Sequence, residues 1–239
     1  MDAVLLARIQ FAFTVGFHYL FPPLTLGLTL VILIFQTLGL KRPSEVYQSI
    51  SAFLIRILGL VFVLGTATGI TMEFAFGNNW AEYARLVGDI FDAPLAAEGI
   101  FAFFLESVFL GILLFGRARV SRAVYWLSSF LVFLGAHLSG LWILIANSWM
   151  QTPAGFRMEG KKAVLTNFWE AALNPSLLER YTHTIVAGWI TGALFVAGIA
   201  AWFLLRKQHD RPARSMLKVS LALFVVTALL QFGTGHMHA

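Results

Sequence analysis

Six apolar runs limit the folds open to this sequence: roughly Phe11 to Leu40, Ser51 to Met72, Pro94 to Phe115, Ala123 to Ala146, Tyr181 to Leu205 and Met216 to Gly233. A helix needs about 20 residues to cross about 30 Å of hydrocarbon, and each run meets or approaches that length, the last being the shortest. None shows the ten-residue alternation of apolar and polar positions that marks a membrane strand. The sequence therefore predicts an all-α, polytopic membrane bundle of six transmembrane helices, with residues 1–239 forming one unit. No internal repeat, low-complexity tract or soluble domain interrupts it.

Only 12% of the residues are charged, about half the fraction usual in soluble domains. The net charge of +5 thus reads as membrane topology rather than nucleic-acid binding. Lys41 and Arg42 follow the first run, Arg117, Arg119 and Arg122 the third, and Arg206, Lys207, Arg211 and Arg214 the fifth. Arg56 and Lys218 lie nearby, which brings that side to eleven of the seventeen basic residues. The positive-inside rule makes this side cytoplasmic and predicts both termini on the outer side. The first run contains His18 and Pro22-Pro23 and lacks a basic leader, so the amino terminus is read as mature. With no cysteine, disulfides, thiolate metal sites and Cys-attached haem are excluded. The two longer outer connections, Glu73 to Ala93 and Asn147 to Arg180, are expected to be loops that cap a site.

The stretch GDIFDAPLAAEGIFAFFLES, Gly88 to Ser107, places Glu98 and Glu106 in a run that must cross lipid. A charge at membrane depth costs at least about 2.5–3.5 kcal/mol, so such residues usually face a bundle interior and mark a proton, ion or cofactor path. Under the predicted topology His18, Glu98 and His183 reach similar depth near the outer face. Glu106 lies eight residues further on, about 12 Å deeper and roughly 80° around an ideal helix. His137 and Ser139, on a run travelling outward, reach a comparable depth, and Ser107 adjoins Glu106. A polar line from the cytoplasmic side to the outer cluster follows. An intramembrane histidine can equally be a helix-to-helix hydrogen-bond partner, the reading favoured for His137, and a serine can be a small packing residue. The aromatic residues read as lipid-facing surface and interfacial belt, with Trp80, Trp149 and Trp169 in the outer belt.

Intramembrane His and Glu without Cys suit haem held by helix side chains. Gly65, Ala67 and Gly69, and Gly188 and Gly192, could admit a macrocycle between helices, and small-residue helix packing explains them as well. Two other functions fit the same residues: a b-type cytochrome that passes electrons without binding O2, and a cofactor-free proton or ion transporter built on Glu98 and Glu106.

Five segments, FAFTVGFHYLFPPLTLG, GTATGITMEFAFGNNW, APLAAEGIFAFFLES, LSGLWILIANSWMQTPAG and RYTHTIVAGWITGALF, together resemble the amino-terminal part of subunit I of cytochrome bd quinol oxidase. The match runs through all six spans in order. The resemblance implies a terminal oxidase of a prokaryotic plasma membrane that reduces O2 to water with electrons from a membrane quinol, using three haems near the outer face. Low-spin and high-spin haem b and haem d are the implied cofactors. Position by position, His18 matches an axial ligand in the high-spin pair and His183 an axial ligand of the low-spin b haem. Glu98 matches a carboxylate beside the oxygen-reducing haem and a candidate iron ligand. Glu106, Ser107 and Ser139 match proton-path positions, and Arg8 a basic residue near haem propionates. Protons taken up from the cytoplasmic side would then separate charge without a pump.

The family's subunit I continues past the sixth span with an outer quinol-binding loop and three more spans, whereas this sequence stops at Ala239. The resemblance therefore implies at least one other membrane subunit, supplying that loop, the methionine expected opposite His183 and the late glutamate expected on a high-spin haem. A reduced relative with fewer haems or another electron donor is the alternative. His236 and His238 in the closing GHMHA are candidate replacement ligands, a disordered tail being the plainer reading.

Overall fold

The computed structural model describes residues 2–42 and 44–238, apart from the side chains at 93, 97, 100–102 and 238. The helices are α1 (Ala3–His18), α2 (Phe21–Lys41), α3 (Glu45–Asn78), α4 (Ala81–Ala97), α5 (Phe104–Phe115), α6 (Arg122–Gln151), α7 (Phe168–Ala172), α8 (Leu177–Leu205) and α9 (Asp210–His238). A π-helical segment, Glu98–Phe103, joins α4 to α5, and a hairpin of β1 (Phe156–Glu159) and β2 (Lys162–Leu165) lies between α6 and α7. Among the described residues, five stretches are long and apolar enough to cross a membrane: Ala3–Lys41, Glu45–Asn78, Arg122–Gln151, Leu177–Leu205 and Asp210–Met237. The expected third span is instead three helical segments in series, of which Phe104–Phe115 is the apolar part.

Proline chemistry explains both interruptions. Pro22 and Pro23 lack the N–H groups that would bond to the carbonyls of His18 and Tyr19 in a continuous helix. The chain breaks there, with His18 as the last residue of α1 and the prolines in the first turn of α2. Pro94, inside α4, likewise leaves the Ile90 carbonyl without its helical donor, and the π-helical segment begins four residues later.

The expected loop from Glu73 to Ala93 is not a loop. Helix α3 runs on to Asn78, α4 starts at Ala81, and only Asn79 and Trp80 connect them. The Gly and Asn residues that suggested a loop sit at the helix junction instead. The second expected loop is partly ordered, and it contains the two strands that the reading of the spans left out. Phe156 pairs with Leu165 and Glu159 with Lys162. Gly155, at φ +67°, has no room for a side chain beside the Asn167 carbonyl. Leu165 N–H donates to Asp89 Oδ2 at 2.7 Å, tying the hairpin to α4. Trp149 does not lie in a lipid belt: it is buried, donates to the Ala154 carbonyl at 2.9 Å and packs edge-on against Phe91 and Phe156. Trp169 is exposed, as a belt residue would be, and Trp80 is half-buried against Phe11.

Helix α2 is the axis of the core. Leu28, Val31, Ile32 and Phe35 meet Leu54, Ile55 and Leu58 of α3, Val132 of α6, Val196 and Ala200 of α8, and Met216 of α9. On its other side, a side chain at Gly27 would collide with backbone atoms of Gly188 and Gly192, and one at Gly192 with the backbone of Gly27. The spacing Gly188-x-x-x-Gly192 lets the α2 and α8 backbones touch, where dispersion rather than water exclusion holds lipid-embedded helices together. Helix packing therefore accounts for these two glycines. Large apolar side chains such as Phe13, Leu60, Phe115, Leu229 and Phe232 face outward.

The pairings fix direction. Phe21 lies against Gly65, His18 against Thr68 and Ala7 against Asn79, so α1 and α2 run antiparallel to α3. Helices α2 and α8 are parallel through their glycines, and α9 returns antiparallel to α8, with Thr234 against His183. Both described ends of the chain thus lie at one end of the bundle. The basic residues following α2, α5 and α8 lie at the other.

Candidate functional site

His18 is held by its position at the proline break and by α3. Its Nδ1 lies 2.9 Å from Thr68 Oγ1. That hydroxyl has the Leu64 carbonyl at 2.8 Å and the Gly65 carbonyl at 3.0 Å as acceptors for its own proton. Oγ1 therefore accepts from the ring, which makes His18 an Nδ1–H tautomer with the lone pair on Nε2. Gly69 supplies the clearance: a side chain there would come within 3.4 Å of the ring. This is the arrangement a metal-binding imidazole needs, since a partner on one nitrogen orients the other.

His183 repeats the pattern one interface away. On the first turns of α8 it faces α9, with Nδ1 at 3.3 Å from Thr234 Oγ1, whose proton goes to the Gln231 carbonyl at 3.3 Å. The Gln231 side-chain amide nitrogen lies 3.0 Å from both ring nitrogens. Gly235 keeps the ring edge clear. The two histidines thus share one device: a threonine on the neighbouring antiparallel helix, followed by a glycine.

The carboxylates form a second group. Ser139 of α6 donates to Glu98 Oε1 at 2.7 Å, so a hydrogen bond onto a carboxyl group joins the π-helical segment to α6. Glu106 is 6% exposed, and its Oε1 has no partner among the described residues. Glu98 lies within electrostatic reach of Glu106, and Glu73 of α3 within electrostatic reach of Glu98. The π-helical turn contributes to this grouping. A wider turn advances less angle per residue than an α-turn, so Glu98 and Glu106 lie nearer one face than the roughly 80° of an ideal helix.

The expected common level of the ligand candidates is visible in the packing. Leu26 and Pro23 of α2 lie against Gly188, and Gly140 of α6 touches Leu26 and Ile185. His183 is two residues from Ile185, Ser139 adjoins Gly140, and His18 precedes Pro23 by five residues. The side chains themselves are not in mutual contact: His18 belongs to the α1/α3 interface, His183 to α8/α9 and Glu98 to the π-segment and α6. No cluster of three or more metal-ligating side chains occurs among the described residues. Single axial ligands on separate helices, as a macrocycle uses, are compatible with that spacing.

The remaining candidates are less engaged. Ser107 Oγ donates to the Phe104 carbonyl of its own helix at 3.2 Å rather than to Glu106. Arg8 is exposed on α1 and makes no hydrogen bond or ion pair among the described residues. His236 is exposed, and the His238 side chain lies outside the described residues. Sequence reasoning missed Thr68, Thr234 and Gln231 as imidazole partners and Glu73 as a third carboxylate. Only the Thr–Gly pairs, Thr68-Gly69 and Thr234-Gly235, carried a local signal.

Comparison with known proteins gives a consistent result. The family model described as cytochrome bd terminal oxidase subunit I matches residues 6–239. The chain is similar to cytochrome bd-II ubiquinol oxidase subunit 1 of Escherichia coli K12, 45% identical over 214 residues, covering 89% of this chain and 42% of that protein. It is also similar to cytochrome bd ubiquinol oxidase subunit 1 of Bacillus subtilis 168, 39% identical over 239 residues, 100% of this chain and 51% of that one. Among solved structures, the bd oxidase from Geobacillus thermodenitrificans superposes with a TM-score of 0.94 at 26% identity, over 99% of this chain and 55% of that chain. The chain spans about half the length of these relatives.

Proposed function

Because this chain belongs to the cytochrome bd terminal oxidase subunit I family, we propose that it is a membrane haem subunit of a bd-type oxidase in a prokaryotic plasma membrane. It would take part in reducing O2 to water with electrons from quinol or another donor. The observation that carries this reading is the shared arrangement of His18 and His183, each with Nδ1 on a threonine of the neighbouring helix. Haem supplies the iron at which electrons are passed on and O2 is reduced, with low-spin haem b, high-spin haem b and haem d as the candidate types.

In this reading His18 and His183 would hold haem through Nε2, Thr68 fixing the tautomer of His18. For His183 the Gln231 amide, now 3.0 Å from Nε2, turns aside. Arg8 neutralises propionate charge at the end of the bundle that holds both described chain ends. Glu98 is placed beside the oxygen-reducing group, as a proton donor or an iron ligand. Glu106 takes protons from the basic, cytoplasmic end and passes them toward Glu98 and Ser139, with Ser107 rotating off its own helix carbonyl to bridge. The remaining iron ligands, the donor site and at least one further membrane subunit lie outside residues 1–239.

Optical spectroscopy of the purified protein tests this. Absence of a Soret band would rule out haem altogether, leaving a carboxylate-based transporter. A reduced-minus-oxidised spectrum with low-spin b features alone would exclude the oxidase and leave an electron-transfer cytochrome. Pyridine-haemochrome analysis with mass spectrometry of the intact complex would count haems and chains together.

A further inference from the structure

The end of the bundle opposite the histidines contains a cleft of about 160 Å³ between α2, α3 and the start of α6. A single water needs only about 10–15 Å³ by the same measure, so the cleft has room for a polyatomic group. Its polar lining is Gln36, Tyr47, Gln48, Ser51, Arg117, Arg122 and Tyr125, with no carboxylate among them. At the floor, Ser51 is 2% exposed and its hydroxyl has no hydrogen-bond partner among the described residues. Buried hydroxyls are normally satisfied, and one left unpaired inside a polar recess marks a missing partner.

The two arginines at the rim are likewise uncompensated. Arg117 Nη2 donates only to the neutral Gln48 Oε1, at 3.3 Å. Among the described residues the ion pairs are Arg85 with Glu82, Arg157 with Glu159 and Arg214 with Asp210, so no carboxylate neutralises Arg117 or Arg122. Tyr125 directs its hydroxyl proton to the Leu113 carbonyl at 2.8 Å and feels the Arg117 charge. Phe35, Leu40, Ala52 and Val120 supply an apolar part of the wall. Two guanidinium groups over a buried hydroxyl suit a phosphate oxyanion, since Arg forks match phosphate geometry. The apolar wall and the position at the ends of membrane helices select the source.

We propose that this cleft binds the phosphate of an anionic phospholipid in the leaflet at this end of the bundle, Arg117 and Arg122 gripping the phosphate oxygens and Ser51 donating from below. Basic recesses between membrane helices recognise lipid headgroups in this way.

The test uses the full chain, purified as it assembles in its own membrane and exchanged into nanodiscs. Phosphatidylcholine discs are titrated with phosphatidylglycerol, and bound lipid is counted by native mass spectrometry beside a thermal melt. Wild type should retain phosphatidylglycerol over phosphatidylcholine and melt higher in its presence. Arg117→Gln and Arg122→Gln should each weaken retention about tenfold, the loss of one charge-assisted contact. Arg119→Gln, outside the lining, should leave it unchanged. Equal retention of the two lipids by wild type overturns the proposal without recourse to any variant. So does equal weakening by Arg119→Gln, which would mean diffuse charge attraction. Stabilisation by inorganic phosphate alone, matching that by the lipid, would make the site one for free phosphate and overturn the lipid assignment.

Discussion

Trp189 donates its indole N–H to Nε2 of His137 at 2.9 Å, and His137 Nδ1 lies 2.7 Å from the Phe133 carbonyl, to which it donates. Both ring nitrogens are engaged, so this imidazole links α6 to α8 and has no lone pair for iron. His137→Phe should lower stability by about 0.5–2 kcal/mol, the span for an interhelical hydrogen bond in a membrane, while haem content stays at the wild-type level. Thermal melting beside haemochrome analysis checks both; selective loss of a haem would restore the ligand reading.

Thr68 acts on His18 from the opposite direction. Thr68→Val keeps the shape and removes the oxygen that accepts from Nδ1, so it should weaken retention of the group bound at His18 by about 10–100-fold. Thr68→Ser should restore it. Haem stoichiometry of the three proteins, read after detergent washing, discriminates this from a packing effect, for which serine would not compensate.

Glu106→Gln should lower proton-coupled turnover about a hundredfold or more, the scale of a lost acid–base relay. It should leave haem content intact and should not lower the melting temperature, because a neutral amide is no harder to bury than a carboxylate whose Oε1 lacks a partner. Full oxygen consumption by the variant would remove Glu106 from the proton route.

The α2/α8 contact separates two glycines of one helix. Gly192→Ala drives a methyl into the Gly27 backbone and should destabilise by at least about 1–3 kcal/mol. Gly198→Ala, on an exposed face with no neighbour within 4 Å, should stabilise by about 0.5–1 kcal/mol. Denaturation of the pair side by side gives the sign of each.

Hydropathy made most of this architecture readable, because lipid enforces long apolar helices that composition alone reveals. Polar groups inside apolar runs singled out His18, His183, Glu98 and Glu106, the resemblance supplied the roles expected of them, and the packing of their neighbours sets the first three at similar heights in the bundle. The failures were local. Polar residues between Glu73 and Ala93 mimicked a loop, although α3 and α4 extend past the apolar runs and only Asn79 and Trp80 separate them. Trp149 looked interfacial, but it is buried between Phe91 of α4, a partner distant in sequence, and Phe156 of the hairpin, contacts that hydropathy does not register. Thr68 and Thr234 could not be matched to their histidines because they lie 50 and 51 residues away, although each stands in a Thr–Gly pair. The consequence of Pro94 was also hidden, since a proline indicates a disturbed helix without saying whether it kinks, breaks or widens.

That widening carries an implication for chain length. A π-helical turn is an α-helix holding one residue too many, so the sequence before Glu98 and the sequence after Phe103 are set to different helical phases. Deleting a single residue between them would let the helix close up and swing everything from Phe104 to Phe115 by about 100°, moving Glu106 off the face it shares with Glu98. The same deletion at the Gly160–Lys161 tip would instead slip the register of the hairpin, whose Glu159 and Lys162 pair across that turn, and leave the phase of α5 untouched. In this protein the alignment of the two glutamates is therefore stored as a count of residues, and insertions or deletions there should be far less tolerated than substitutions.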